Sequence, residues 1–481
     1  MNPLKPIEGP VAVFENPITD TDSYKASHWT QYPPGVTSMY SYFESRGGRY
    51  GHSVFFGLQY LLRGALSRPI TRSHVDDAAR FFEAHGEPFN RDGWEHIVDR
   101  YAGRLPVRIR AVPEGTVVPA GNVLFDVELA APDPKAFWVV SWLETMLVRL
   151  WYPCTVATLS RHCKETILAA LQASADDPAG EIPFKLHDFG SRGGSSEETI
   201  RIGGAAHLVN FLGSDTVEGV RLANRYYDAP MAGFSIPAAE HSTITMWGRE
   251  REEDAYANFV QRYLVDRVVP AGAPKIAACV SDSYDVFRAI EELWCGPRLL
   301  PMIRASGGKL VIRPDSGDPI TVLLRCLEVL ERKVGMAKNT KGYKVLPPYL
   351  GLIQGDGIND QSLGEILRAV TDRGYSASNL GFGMGGGLLQ QVNRDTQKYA
   401  FKCAAALVDG TWVDVSKSPA TDMGKRSKRG HQALVREGAG YQTVRGPRAD
   451  DLLVPVFESG VVLKTYDLET VRANAARGLG A

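Results

Sequence analysis

The stretch PAAEHSTITMW, residues 237–247, sets Glu240 beside His241, and histidine is the side chain whose unperturbed charge changes near neutral pH. Such a residue can be a base, a nucleophile or a ligand, or simply a hydrogen-bonded core group, and its surroundings must choose. Elsewhere short apolar runs end in acidic or glycine-rich clusters: FKLHDFGSRGG, NFLGSDT, GFSIPAAEH, AACVSDSYD, KLVIRPDSGDP, GLIQGDG and LGFGMGGG. Their markers Asp188, Asp215, His241, Asp282, Asp315, Asp356 and Gly385 are spaced by 27, 26, 41, 33, 41 and 29 residues. Each aspartate alone could be a helix N-cap, a position that prefers Asp and Ser. Gathered on one face, five carboxylates and a histidine would repel one another unless a cation and a hydroxyl-rich ligand satisfied them, which points to Mg2+ and a sugar.

GFGMGGG, residues 381–387, formally matches G-x-G-x-x-G through Gly381, Gly383 and Gly386. It ends the repeat instead of opening it, and no acidic residue follows about 20 positions later in a strand context, so a dinucleotide fold is disfavoured. Glycines between a strand and a helix still bare backbone N–H groups to a phosphate, although a tight turn needs the same residues. Arg394, Lys398, Lys402, Lys417 and the cluster KRSKRG, which begins at Lys425, follow at once. They read as a phosphate channel; a solvated face or a nuclear or RNA-binding signal has the same composition.

The elements that must position these groups follow from the spacing. One strand, one helix and two loops fit each interval, so the chain from residue 184 onward reads as a βα repeat whose parallel strands close into a barrel or open into a doubly wound sheet. Either way the loops after the strands share one face, and the charged residues converge there. VRIRAV (107–112) and NVLFDVEL (122–129) are strand-like, and two helices are expected across residues 137–175. QALVREGAGYQTVRG and LLVPVFESGVVLKTYD read as hairpins, and LETVRANAARGL as a closing helix. The expected fold is α/β: a barrel-like βα repeat domain at 151–394, and a β-rich domain built from both chain ends, 1–150 with 395–481.

Composition excludes several classes. The 54 basic and 55 acidic residues leave a formal charge of −1, so no global field draws nucleic acid or an anionic membrane, and any anion must meet a local site. Six cysteines without a CxxC pair suit reduced thiols in a cytoplasmic protein, and the N-terminal segment lacks the pattern of a signal peptide. AFWVVSWLETMLVRLWY is interrupted by Glu144 and Arg149, which suits a buried helix better than a membrane span.

Taken together, DSYKASHWTQYPPG, YSYFESRGG, KLHDFGSRG, AAEHSTITMWG, VSDSYD, IRPDSGDP, IQGDG, GFGMGGGLLQ and KRSKRG closely resemble the nicotinamide phosphoribosyltransferase family, in the same order from about residue 16 to 475. The resemblance implies a type II phosphoribosyltransferase that is a homodimer with shared active sites. It implies a reaction of nicotinamide with 5-phosphoribosyl 1-pyrophosphate, needing Mg2+ and giving nicotinamide mononucleotide and pyrophosphate. ATP hydrolysis would be coupled through a phosphorylated histidine, matched here by His241. Phe189, and Tyr24 of the partner subunit, would sandwich the pyridine ring, with Asp22 and Ser235 also at the substrate. Asp215 would accept the carboxamide N–H and reject nicotinate. Arg192 and Arg313 would contact the amide or the phosphoribosyl group, Asp315, Gly355 and Asp356 the ribose, and Gly385 and Gly386 the 5′-phosphate. Asp282 and Asp315 would lie near the metal, and either Asp282 or Glu240 would orient His241. Arg46, Arg394, Lys402, Lys417 and Lys425 would serve pyrophosphate and ATP phosphates. Phe184, Ser191 and Ala400 depart from residues common in the family, the last removing a hydroxyl offered to phosphate. A nicotinate-specific enzyme of the same fold is disfavoured by Asp215, and a catalytically silent binding protein by intact His241, Asp282 and Asp315.

Overall fold

The computed structural model describes residues 16–417, 427–438 and 440–479. They form two compact units, one from the described residues up to Thr155 with those of Asn393–Ala475, the other from Val156–Val392 with residues 476–479.

The first unit is organised by an antiparallel sheet of seven strands in the order Thr411–Asp414, Tyr399–Val408, Val36–Ser45, Val123–Leu129, Val107–Ala111, Val454–Glu458 and Val461–Val462. Both ends of the chain therefore lie in one sheet: Val36–Ser45 pairs with Tyr399–Val408, setting Tyr42 opposite Lys402 and Phe43 opposite Phe401. Val36–Ser45 is buried on both faces, which the sequence anticipates by carrying aromatic, Met and Ser side chains instead of a polar alternation. Phe43 stacks on Phe125 at 4.7 Å and on Tyr399 at 5.2 Å, pinning three neighbouring strands. The two expected hairpins form at 432–445 and 454–462, and Leu468–Ala476 is the closing helix. The first of the two helices expected over 137–175 is broken into Val139–Trp142 and Glu144–Val148, followed by the long Trp151–Ser174. Pro153 explains the restart: it lacks an N–H and is tolerated only in the first turn of a helix, where it stands here.

The second unit is a parallel barrel. Gly213–Ser214, Leu186–Asp188, Leu380–Met384, Leu350–Gln354, Lys309–Arg313 and Ile276–Val280 pair side by side in that order, with Met384 opposite Asp188. The remaining gap is spanned by the chain around Ile236, which bridges Phe234 to Gly213 on one side and Ala238 to Ala278 on the other. The curled sheet is thus closed only by isolated bridges at this one place. Its interior holds Ala278, Val311 and Ile353, against which Phe189, Ile236 and Ile276 pack. The outer helices present amphipathic faces, as in Pro319–Val334, where Leu323, Cys326, Leu327, Val329 and Leu330 are buried. Among the described residues no helix is long and apolar enough to cross a membrane.

Candidate functional site

Helix capping decides what the aspartates do. The helix after Asp282 is capped by Asp285, that after Asp315 by Asp318, and that after Asp356 by Asn359, each three residues further on. Thr216, not Asp215, stands at the N-cap of Val217–Tyr226. The strand-end carboxylates are therefore relieved of capping and left in the barrel mouth.

His241 opens the short helix His241–Thr245, with its side chain 46% exposed. Its Nε2 faces Asp315 Oδ2 at 3.5 Å and Asp282 Oδ1 at 3.8 Å, while Nδ1 lies 3.0 Å from Ser283 Oγ. Asp282 is only 5% exposed. Its Oδ2 accepts from Asp315 N–H at 3.1 Å and from Ser316 Oγ, whereas its buried Oδ1 has no hydrogen-bond partner among the described residues. Asp315 Oδ1 accepts from Arg313 Nη1 at 3.1 Å, and Arg313 Nη2 donates to the Ala239 carbonyl at 3.2 Å. The guanidinium thus ties the strand Lys309–Arg313 to the backbone two residues before His241.

Glu240, expected as a candidate to hold the imidazole, does not do so: its carboxylate turns to Ser242 Oγ at the start of the same helix. The residue on the imidazole is Ser283, which was overlooked; its signal was the hydroxyl directly after the aspartate in SDSYD.

A second group lies around Phe189. Its N–H donates to the Met384 carbonyl at 3.0 Å, and its ring lies against Gly383 and Gly355, where a Cβ would meet it at 2.0 and 3.1 Å. Asp215 is held beside this segment by its N–H, which donates to the Asp188 carbonyl at 2.9 Å, and its exposed carboxylate accepts from Ser235 Oγ. Asp188 itself is buried, accepts from Gly190 N–H at 2.7 Å, and has its carboxyl pushed up to about 6 by burial. Gly385 and Gly386 begin the one-turn helix Gly386–Leu389, with open space where a Gly386 Cβ would point. Gly193 passes close by, its own Cβ position 3.2 Å from Gly386 N, so Arg192 belongs to the same loop cluster and is exposed there. Asp356 is exposed at the next strand end. The barrel unit thus brings together Phe189, Arg192, Asp215, Ser235, His241, Asp282, Arg313, Asp315, Gly355, Asp356, Gly385 and Gly386 at the C-terminal ends of its strands.

The other expected residues belong to the first unit. Asp22 precedes the helical turn Ser23–Thr30 and accepts from Thr145 Oγ1 at 2.6 Å; Tyr24 is 57% exposed. Arg46 pairs with Glu44 through Nε at 2.9 Å, and its buried Nη2 has no partner among the described residues. Lys402 lies 3.9 Å from Glu144, and burial holds its ammonium below the ordinary lysine range against that pull, helped by Arg46, Lys25 and Lys417. Lys417 and Arg394 are exposed, and Lys425 lies outside the described residues. Like charges so gathered suit a polyanion.

The donor set for a hard cation can be tested on Asp282. An orphaned, buried carboxylate oxygen next to a second carboxylate fits Mg2+, which commonly takes one or two carboxylates and completes its shell with water and substrate phosphates. Among the described residues no cluster of three or more His, Cys, Asp or Glu side chains forms an all-protein metal cage.

Residues 184–459 match the model of the nicotinate phosphoribosyltransferase (NAPRTase) family, and residues 16–109 that of the nicotinamide phosphoribosyltransferase N-terminal domain. A nicotinamide phosphoribosyltransferase of Xanthomonas campestris pv. campestris is 54% identical over 96% of this chain and 98% of its own. One of Acinetobacter baylyi is 29% identical over the same shares of the two chains. Among solved structures, the nicotinate-nucleotide pyrophosphorylase of Pyrococcus furiosus aligns over 98% of this chain and 97% of its own, with a TM-score of 0.62 and 14% identity. Human nicotinic acid phosphoribosyltransferase aligns over 95% and 92%, with a TM-score of 0.53 and 16% identity, so both share the fold.

Proposed function

The chain belongs to the nicotinamide phosphoribosyltransferases, within the wider nicotinate phosphoribosyltransferase family, and from that premise we propose that it joins nicotinamide to 5-phosphoribosyl 1-pyrophosphate. The products are nicotinamide mononucleotide and pyrophosphate, and ATP hydrolysis is coupled to the reaction through phosphorylation of His241. The observation that carries the choice of base is Asp215: an exposed carboxylate steadied by Ser235 and fixed beside Phe189. A carboxylate accepts the amide N–H of nicotinamide and repels the carboxylate of nicotinate.

The residues divide the work as follows. Phe189 supports one face of the pyridine ring, and Tyr24 of a second copy, with Asp22 nearby, covers the other. Gly385 and Gly386 offer backbone N–H groups to the 5′-phosphate; Gly355, Asp356 and Asp315 face the ribose; Arg192 and Arg313 neutralise the phosphoribosyl group. Asp282 and Asp315 would hold Mg2+, which would supply charge neutralisation for the departing pyrophosphate. As the glycosidic carbon gains oxocarbenium character, the carboxylates of the barrel mouth tolerate its positive charge. Arg46, Arg394, Lys402, Lys417 and Lys425 bind pyrophosphate and the ATP phosphates, some of them reaching the barrel of a second copy in a cytoplasmic homodimer with shared active sites.

The test is turnover of the amide and the acid with phosphoribosyl pyrophosphate and labelled ATP. Nicotinamide is expected to be preferred by at least about a hundredfold, since the acid brings a like charge to Asp215 and no N–H to donate to it. Asp215→Asn should narrow that ratio, and acid-labile label should appear on the protein but not on His241→Ala. Equal turnover of both bases would overturn the choice of base, and label surviving in His241→Ala would overturn the coupling.

A further inference from the structure

Glu144 lies between two lysines, and the roles above use neither its carboxylate nor the nearer lysine. Its Oε2 accepts from Lys25 Nζ at 2.8 Å, and its Oε1 lies 3.9 Å from Lys402 Nζ. The Lys25 side chain is 2% exposed and that of Lys402 37%. A buried ammonium needs a counter-charge, and among the described residues Lys25 Nζ has no hydrogen-bond partner other than Glu144. Arg46, Lys25 and Lys417 all bear on Lys402 as like charges, and Glu144 is the one carboxylate within ion-pair distance of it among the described residues.

Lys25 also touches the residue proposed to cover the pyridine ring. Its Nζ sits 5.5 Å from the centroid of the Tyr24 ring, within the range of a cation–π contact, and the His28 ring meets the same tyrosine edge-on at 4.8 Å. The backbone here is fastened to the same element. Thr145 Oγ1 donates to the Asp22 carboxylate at 2.6 Å and accepts from Asp22 N–H at 3.2 Å, and Arg149 pairs with Asp20. Residues 144–149 thus hold residues 20–25 through three side chains, and of the three only Glu144 also reaches the strand Tyr399–Val408.

We propose that Glu144 is a positioning residue that links the phosphate-binding Lys402 to the ring-covering Tyr24, so that pyrophosphate bound at Lys402 tightens the hold on the pyridine base. The inference rests on the roles given above to Tyr24 and Lys402. With no polyanion bound, one carboxylate serves two ammonium groups. Pyrophosphate supplies Lys402 with a counter-charge of its own, while Lys25, being buried, stays on Glu144 and then has it alone. Fixing that pair fixes the ring beside it, and less ordering is left for the base to impose as it binds. Coupling between two ligands is reciprocal, so nicotinamide tightens pyrophosphate by the same factor.

The experiment titrates nicotinamide into the full-length protein by calorimetry, without and with saturating magnesium pyrophosphate, a pair of ligands that gives no turnover. The wild-type protein is expected to bind nicotinamide about tenfold more tightly with pyrophosphate present, inside the usual range of coupling between sites. Glu144→Gln should bring that factor to about one without weakening pyrophosphate itself, because the substitution removes an anion from beside Lys402. If Glu144→Gln does not fold, since it leaves Lys25 buried without a counter-charge, the double variant Lys25→Met with Glu144→Gln removes the pair together, a change that is often neutral in stability, and should show the same loss of coupling. Wild-type protein with equal nicotinamide affinity in both titrations overturns the inference, as does coupling that survives in either variant. A folded Glu144→Gln protein that binds both ligands weakly also overturns the positioning role. These failures leave the reading of the base site standing, whereas a Tyr24→Ala protein that binds nicotinamide as tightly as the wild type overturns the role of Tyr24 and this inference with it.

Discussion

A methyl group on Gly383 would stand 2.0 Å from Phe189 Cε2, so the aromatic platform exists because the neighbouring strand carries no side chain there. Gly383→Ala must push the ring out of its seat, a strain of about 1–3 kcal/mol. It should lower the thermal midpoint and raise KM for the pyridine base more than tenfold. Gly386→Ala, whose Cβ meets nothing within 4 Å, should leave the midpoint where it is. Asp188 sets a second expectation. Burial raises its folded-state carboxyl to about 6, so between the ordinary aspartate range and that value the folded chain binds a proton that the unfolded chain does not. Stability from this group is therefore greatest at the acid end of the window and is lost as pH rises through about 6. Asp188→Asn should remove that slope and stabilise the protein at neutral pH by up to about 3 kcal/mol, read from denaturant unfolding at pH 4 to 8.

At the scale of the element, capping and chemistry are assigned to different residues of one loop. Asn359 accepts from the N–H groups of Gln361 and Ser362 at 2.9 and 3.0 Å, while Asp356, three residues earlier, makes no cap. Asn359→Ala should cost about 1 kcal/mol, a fall of about 2–4 °C in midpoint, with kcat retained. Asp356→Asn should do the reverse, and one pair of melting curves and rate measurements decides. The spacing of such loops made the parallel barrel legible, because a strand, a helix and two loops fill each interval between markers. GFSIPAAEH reads as a further strand of the repeat, but the segment around Ile236 joins the sheet by isolated bridges and forms no regular ladder. The break at Leu143 inside the first expected helix was not legible, because the residues around it are as apolar as those of the turns it separates. Between Glu240 and Asp282, the two candidates to orient His241, sequence alone could not choose. Adjacency in sequence suggested that Glu240 served His241, but at a helix start the shorter path for its carboxylate leads to Ser242. Ser283 became visible only once two different strand ends lay side by side.

For the molecule as a whole, charge balance conceals strong local fields. The net charge is −1, yet the barrel mouth collects Asp215, Asp282, Asp315 and Asp356, and the other unit collects Lys25, Arg46, Lys402 and Lys417. A substrate with an electron-poor sugar carbon and a polyphosphate needs both kinds of surface. The proposed homodimer would supply them by lending Tyr24 and the basic residues of one copy to the barrel of another. Mixing two inactive proteins tests this. Tyr24→Ala lacks the lent residue and His241→Ala lacks the phosphoryl acceptor, so neither homodimer should show ATP-stimulated synthesis. In a shared-site heterodimer one of the two sites receives both intact residues and the other receives neither. Co-refolding equal amounts should then restore about a quarter of the wild-type stimulated rate, since about half of the dimers are mixed and each has one working site. Sites built from a single chain would show no recovery at any mixing ratio, even with mixed dimers demonstrated by affinity tags on the two variants.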